Sequence, residues 1–187
     1  IRDYTCLIFS PNGEYLYAGS SSGDISCISV RTFVLQSTFN ACTSGVRSIC
    51  ILNNGDNIVV GGGDGTITSF SGSGKEYIDE KRTKIKEGGV TSLSCNKEEN
   101  RMIAGTTTGD IYIIQSSTLK TALVSQSHVD NVPSVAYPLD INDKFATISK
   151  DGIVRYWDAT DYSIISETKI KSGTTPLCLC FILDIII

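Results

Sequence analysis

Short apolar segments alternate with turn-forming residues along the whole chain, and this pattern predicts β-strands. Segments such as Ser48–Leu52, Ile58–Val60 and Ile111–Ile114 are nearly continuous in apolar residues. A strand has this composition when both of its faces are covered by neighbouring structure. Asn-Gly, Asp-Gly and Ser-Gly pairs separate the segments and supply the positive φ angles that tight hairpins require. No apolar periodicity of 3.6 residues is long enough to predict a helix.

The predicted strands recur in four similar repeats, each centred on a turn that closes at a glycine. The turn glycines are Gly23, Gly65, Gly109 and Gly152, so consecutive turns are 42, 44 and 43 residues apart. The repeats occupy approximately residues 1–40, 41–86, 87–126 and 127–171, and a further one starts within 172–187. A period of ~40–45 residues with four strands in each repeat is typical of β-propeller blades.

The sequence therefore predicts an all-β fold with about four and a half four-stranded antiparallel blades. Strands of the first repeat are predicted at Tyr4–Ser10, Glu14–Gly19, Asp24–Ser29 and Phe33–Phe39. Those of the fourth repeat are predicted at Val132–Tyr137, Lys144–Ile148, Ile153–Trp157 and Ser163–Ile170, and the next repeat opens at Pro176–Phe181. Because most propellers of this kind close with more than four blades, we expect residues 1–187 to be part of a larger ring and of a longer protein.

The fourth repeat resembles the WD40 family most fully. It has His128 before an apolar strand, then Thr147, then Asp151-Gly152, and Trp157-Asp158 at the end of a later strand. The resemblance implies that His128, Thr147, Asp151 and Trp157 form a buried hydrogen-bonded tetrad. A buried polar chain is tolerable only when every member is satisfied. The alternative is that His128 and Asp151 are a catalytic base and its orienting acid, but no nucleophile accompanies them.

The other three repeats lack the tryptophan and have Ser29, Phe70 or Gln115 near its position. We expect apolar packing to stabilise these repeats instead of the tetrad.

Several segments, in the same order along the chain, show a resemblance to one particular group of WD-repeat proteins, and together they extend over most of the chain. It is carried by residues 17–25 with Arg31-Thr32, by 88–92, by 128–138, and by 145–147 with 155–157. These segments resemble a family of ciliary WD-repeat proteins. The resemblance implies a non-enzymatic structural protein of the ciliary or flagellar axoneme, bound to tubulin and to neighbouring inner proteins of doublet microtubules. The alternative is a generic WD40 adaptor in a ubiquitin-ligase or signalling complex.

Composition narrows the function further. A net charge of -4, with 16 Lys and Arg against 20 acids, disfavours a nucleic-acid partner. With a single His, and with no Cys-x-x-Cys pair, we predict no catalytic residue, no metal and no cofactor, and no small-molecule substrate. The longest apolar segment, Phe181–Ile187, is far shorter than the ~20 residues that span a bilayer, so we predict no membrane partner. Seven cysteines, mostly within apolar strands, favour the reducing cytoplasm.

Two further segments have chemical interpretations. Gly72–Lys75 resembles a phosphate-binding loop, but Ser69 replaces the first glycine and Glu76 replaces the Ser or Thr after the lysine, so a strand connection is favoured. Residues 75–87 are rich in charge, which is typical of a solvated outer strand that resists edge pairing. In the alternative interpretation, this segment docks an acidic surface such as that of tubulin, through the side chains of Lys81, Arg82, Lys84 and Lys86. The loops at 40–45, 86–89 and 125–131 are further candidate contact regions.

Overall fold

The computed structural model describes residues 2–73, 76–126, 128–138, 142–171, 174–182 and 185–186. Strands dominate these residues and form four antiparallel four-stranded sheets, in which neighbours along the chain are neighbours in the sheet. This confirms the predicted all-β architecture of four-stranded blades. We name the sheets blades 1 to 4 in chain order.

The strands of the four blades have the following bounds. Blade 1 contains β1 (Tyr4–Phe9), β2 (Tyr15–Ser20), β3 (Asp24–Ser29) and β4 (Leu35–Asn40). Blade 2 contains β5 (Val46–Leu52), β6 (Asn57–Gly62), β7 (Thr66–Ser73) and β8 (Glu76–Lys84). Blade 3 contains β9 (Val90–Cys95), β10 (Arg101–Thr106), β11 (Asp110–Gln115) and β12 (Thr121–Gln126). Blade 4 contains β13 (Ser134–Ala136), β14 (Lys144–Ile148), β15 (Ile153–Asp158) and β16 (Ile164–Lys169).

The strands β1, β4, β13 and β16 are shorter than predicted, and for β4 and β13 the structure shows a local cause. β4 begins at Leu35 because Phe33, with a φ of 57°, closes the preceding turn by donating its N–H to the carbonyl of Ser29 at 2.8 Å. β13 is restricted to Ser134–Ala136. It is preceded by Pro133, which has no N–H to contribute to a strand ladder. The helical structure in the described residues is one 3-10 turn at Asn53–Gly55, where the sequence predicts a turn.

The residues predicted to open a fifth repeat lie against blade 4. The Leu179 N–H donates to the hydroxyl of Ser134 at 3.2 Å, and the Leu179 side chain packs with buried Ala146 and Ile148. Within the predicted strand at 176–181, only Phe181 is in a strand, the two-residue β17 (Phe181–Ile182), which pairs with β18 (Ile185–Ile186).

The chain divides into two compact units, Ile1–Val90 and Thr91–Ile187. In the first unit, blades 1 and 2 share an apolar cluster that contains Tyr17, Ile25, Val46, Ile58 and Phe70. The second unit has its own cluster, with Ile103, Ile111, Val135, Phe145 and Trp157 among its buried members. Each cluster joins two successive blades face to face, and each therefore fixes the turns and loops at the ends of its strands. Among the described residues, no helix has the length and apolar character needed to cross a membrane.

Candidate functional site

The structure brings His128, Thr147, Asp151 and Trp157 of blade 4 into one hydrogen-bonded chain. His128 Nδ1 lies 3.0 Å from Asp151 Oδ2, and His128 Nε2 lies 2.9 Å from Thr147 Oγ1. The indole Nε1 of Trp157 donates to the same Thr147 oxygen at 2.9 Å. His128, Thr147 and Trp157 are all buried. These hydrogen bonds thus link a loop, a turn and two neighbouring strands, β14 and β15.

The order of donors in this chain determines the protonation state of His128. The ionised Asp151 carboxylate can only accept, so His128 Nδ1 carries a proton, and the Thr147 hydroxyl, which accepts from the indole N–H, donates to the remaining ring nitrogen, Nε2. The ring is then neutral, with its proton on Nδ1, and donates to Asp151. The pKa values agree with this assignment. Burial lowers the pKa of His128 despite the neighbouring Asp151 carboxylate. Burial alone would raise the pKa of Asp151, but hydrogen bonds from His128 and from backbone N–H groups outweigh it and lower that pKa.

The geometry disfavours a catalytic role for His128 and Asp151. Both ring nitrogens of His128 are engaged inside the protein, and the His128 side chain is fully buried. Asp151 accepts further hydrogen bonds from the N–H groups of Ile153 at 2.9 Å and Val129 at 3.3 Å. A general base needs a nitrogen or oxygen within reach of a substrate proton, and this arrangement offers none. The arrangement instead holds the loop at 128–131 against the turn of blade 4.

Blade 2 retains the acid of this network without the other three side chains. Asp64 occupies the position of Asp151 and accepts hydrogen bonds from the hydroxyl and the N–H of Thr43 and from the N–H of Thr66. Burial opposes ionisation of Asp64, but these hydrogen bonds prevail and lower its pKa to about 2. Apolar side chains, Val60 and Phe70, stand in register with Thr147 and Trp157, and both are buried.

Blades 1 and 3 use a different turn network that sequence reasoning missed. In blade 1, Asp24 accepts hydrogen bonds from Ser20 and Ser22, each at 2.6 Å, and pairs with Arg2 at 3.0 Å. In blade 3, the corresponding Asp110 accepts a hydrogen bond from Thr108 at 2.8 Å. The signal in the sequence is three hydroxyl residues before Gly-Asp, at 20–24 and again at 106–110. The four blades therefore alternate between two kinds of turn.

The strand register corrects two of the residues placed near the missing tryptophans. Trp157 pairs with Phe145, seven residues before its turn glycine. The residues in the same register are Ile28 in blade 1 and Ile114 in blade 3, rather than Ser29 and Gln115. Both are apolar, so the position is filled by a hydrophobic side chain in all four blades.

The four basic residues predicted to form a docking patch are all exposed, but they do not share one face. They belong to β8 and the two residues that follow it. Side chains alternate between the two faces of a strand, which separates Lys81 from Arg82 and Lys84. Arg82 is already paired with Asp79 at 2.9 Å. Lys84 and Lys86 lie on either side of buried Ile85.

The remaining candidate segments lie partly outside the described residues. Gly74 and Lys75 of the phosphate-loop candidate lie outside the described residues, as does Ser127 of the candidate loop at 125–131. Within the described parts of the chain, no group of three or more His, Cys, Asp or Glu residues could hold a metal ion.

Comparison with known families identifies the class of repeat. The family described as "WD domain, G-beta repeat" matches residues 3–29 and 33–71, which lie in blades 1 and 2. This match shows WD40 repeats in blades 1 and 2, and blades 3 and 4 have the same four-stranded architecture.

Among curated proteins, the chain is similar to Cilia- and flagella-associated protein 52 from several organisms. It is 30% identical to the Chlamydomonas reinhardtii protein over 85% of this chain, and 30% identical to the Sus scrofa protein over 95% of this chain. It is also 26% identical to human Echinoderm microtubule-associated protein-like 1 over 91% of this chain. The chain spans about a quarter of these proteins, with shares of 26%, 28% and 21%. The resemblance to ciliary WD-repeat proteins is thereby confirmed.

Proposed function

We propose that this protein is a non-enzymatic scaffold of the ciliary or flagellar axoneme, where it binds tubulin and neighbouring proteins of doublet microtubules. One observation carries the proposal: the similarity to cilia- and flagella-associated proteins extends over most of the chain rather than over one blade. A second relative whose name refers to microtubules supports the same cytoskeletal setting.

The geometry of the blades supports a binding role. WD40 repeats are protein-interaction modules, and rigid strands position the loops at the blade ends. The acids and the histidine of the turns are engaged in internal hydrogen bonds, so these groups hold loops in place instead of performing chemistry. Exposed residues such as Val129, Lys84 at the end of β8 and Lys86 after it are left to contact a partner.

Co-sedimentation with taxol-stabilised microtubules tests the proposal. We expect the protein to pellet with microtubules and to saturate as tubulin concentration rises. A parallel sample without microtubules measures self-aggregation, which exposed apolar side chains such as Leu7 and Phe9 favour. A generic WD40 adaptor of a ubiquitin-ligase or signalling complex would stay in the supernatant in both samples, and that result would contradict the proposal.

A further inference from the structure

A four-residue segment, Thr-Lys-Ile-Lys, occurs twice in the chain, at 83–86 and at 168–171. Each copy ends the last strand of a blade, β8 in blade 2 and β16 in blade 4.

The two copies occupy the same position in the fold. Lys84 pairs with Thr66, and Lys169 pairs with Ile153; both partners directly follow a turn glycine. The backbone N–H of the isoleucine in each copy then donates to the carbonyl oxygen of that glycine, from Ile85 to Gly65 at 3.0 Å and from Ile170 to Gly152 at 2.8 Å. The backbone around both lysine pairs is therefore fixed in the same way.

This arrangement exposes two lysines beside each isoleucine. Ile85 is buried and Ile170 packs on the apolar cluster of blade 4, whereas the lysines that flank them are exposed. The first lysine of each pair is the last residue of its strand, and the second follows two residues later, so both charges of a pair lie at one strand end. Among the described residues, no ion pair involves any of these lysines, Lys84, Lys86, Lys169 and Lys171.

Blades 1 and 3 differ at these positions. Asn40 and Gln126 pair with Asp24 and Asp110 in the place of Lys84 and Lys169. The lysine pair is thus a feature of every second blade, as is the acid before the turn glycine.

Protection of an exposed strand edge explains only two of these four lysines. Lysines within an edge strand discourage pairing with another sheet, which explains Lys84 and Lys169. Lys86 and Lys171 lie beyond the ends of β8 and β16 and have no edge to protect. They concentrate positive charge at two points of a protein whose net charge is -4.

We infer that the Lys84–Lys86 and Lys169–Lys171 pairs are two equivalent docking points for a carboxylate-rich peptide segment of a protein partner. Two separate lysine pairs fit short runs of Asp and Glu in a peptide. An extended nucleic acid instead requires a continuous basic surface, and the net negative charge of this protein would repel its phosphates. The inference deepens the proposed scaffold function and rests on it only in taking the partner to be a protein.

A labelled ten-residue glutamate peptide tests the inference by fluorescence anisotropy at low ionic strength. Lys84→Gln/Lys86→Gln and Lys169→Gln/Lys171→Gln should each weaken binding roughly fivefold, and the quadruple variant should weaken it further. Lys97→Gln/Lys120→Gln is the matched control, because both lysines are exposed in other connections and the charge change is the same. This control should bind within about twofold of wild type.

Three results would overturn the inference. The first is an equal loss of affinity in the control, which would mean that only net charge matters. The second is a loss confined to one lysine pair. The third is a ten-nucleotide single strand that binds as tightly as the peptide and through the same lysines. Failure of the wild-type protein to pellet with microtubules would instead disprove the proposed function, so the two failures are distinguishable.

Discussion

Replacing Trp157 with alanine should lower the free energy of unfolding by about 3–5 kcal/mol. The Trp157 side chain is 1% exposed, and its ring stacks on that of Phe145 with 5.8 Å between centroids. The substitution removes this packing and also the indole donor to Thr147. Urea denaturation followed by circular dichroism measures the change.

The variant Trp157→Phe separates packing from hydrogen bonding. It keeps an aromatic ring in the cluster, as Phe70 does in blade 2, and leaves the Thr147 oxygen without its donor. We expect it to cost about 1–3 kcal/mol, the penalty for a buried polar group that loses one partner. Equal stability of wild type and Trp157→Ala would mean that the blade 4 network contributes nothing to the fold.

Gly23→Ala should destabilise the protein far more than Gly152→Ala, although both glycines close equivalent turns. Their φ angles are similar, +91° and +82°, so both substitutions carry the left-handed penalty of roughly 1–2 kcal/mol. A Cβ at Gly23 would lie 2.1 Å from the carbonyl oxygen of Cys42, whereas a Cβ at Gly152 meets nothing within 4 Å. The overlap involves backbone, which cannot rotate away, so we expect a total cost of about 3 kcal/mol or more at Gly23.

Thermal unfolding of the two glycine variants, measured side by side, checks this prediction. Gly152→Ala serves as the matched control because it changes the same turn position by the same methyl group. Similar melting temperatures for both variants would show that the loop carrying Cys42 does not pack against the blade 1 turn as described.

Hydrophobic pattern and turn chemistry are sufficient to predict the blades of this protein. Glycines with positive φ, such as Gly65 and Gly109, are required by the hairpins and recur at the blade period. The ends of strands depend on features that periodicity does not contain. Phe33 has a positive φ that a bulky residue rarely adopts, and Pro133 interrupts a ladder that its neighbours would otherwise continue.

The blade 4 network was predictable as a set of residues because its four members match a known repeat. The turn networks of blades 1 and 3 were not, since a serine or threonine beside an aspartate is ordinary in any turn. Only the register shows that Asp24 and Asp110 are buried at the first position of a strand. Register likewise decides that Ile28, and not Ser29, stands where Trp157 does.

The role of the charged side chains was the hardest feature to predict from the sequence. The segment at 75–87 is dense in charge, and pattern alone leaves both a solvated strand and a docking patch open. The structure adds that Arg82 is engaged by Asp79 and that Lys84 has a structural counterpart in Lys169. Protection of a strand edge explains isolated lysines. A pair of lysines around an inward-facing isoleucine, repeated in two blades, favours recognition of a partner.

The location of the protein within the cell decides whether it is a scaffold of the axoneme. Axonemes from ciliated cells that express this protein can be extracted with detergent and labelled with an antibody to it for electron microscopy. We expect label along doublet microtubules that resists both detergent and moderate salt. Release of the protein with the soluble fraction, and axonemes without label, would disprove a role in the axoneme.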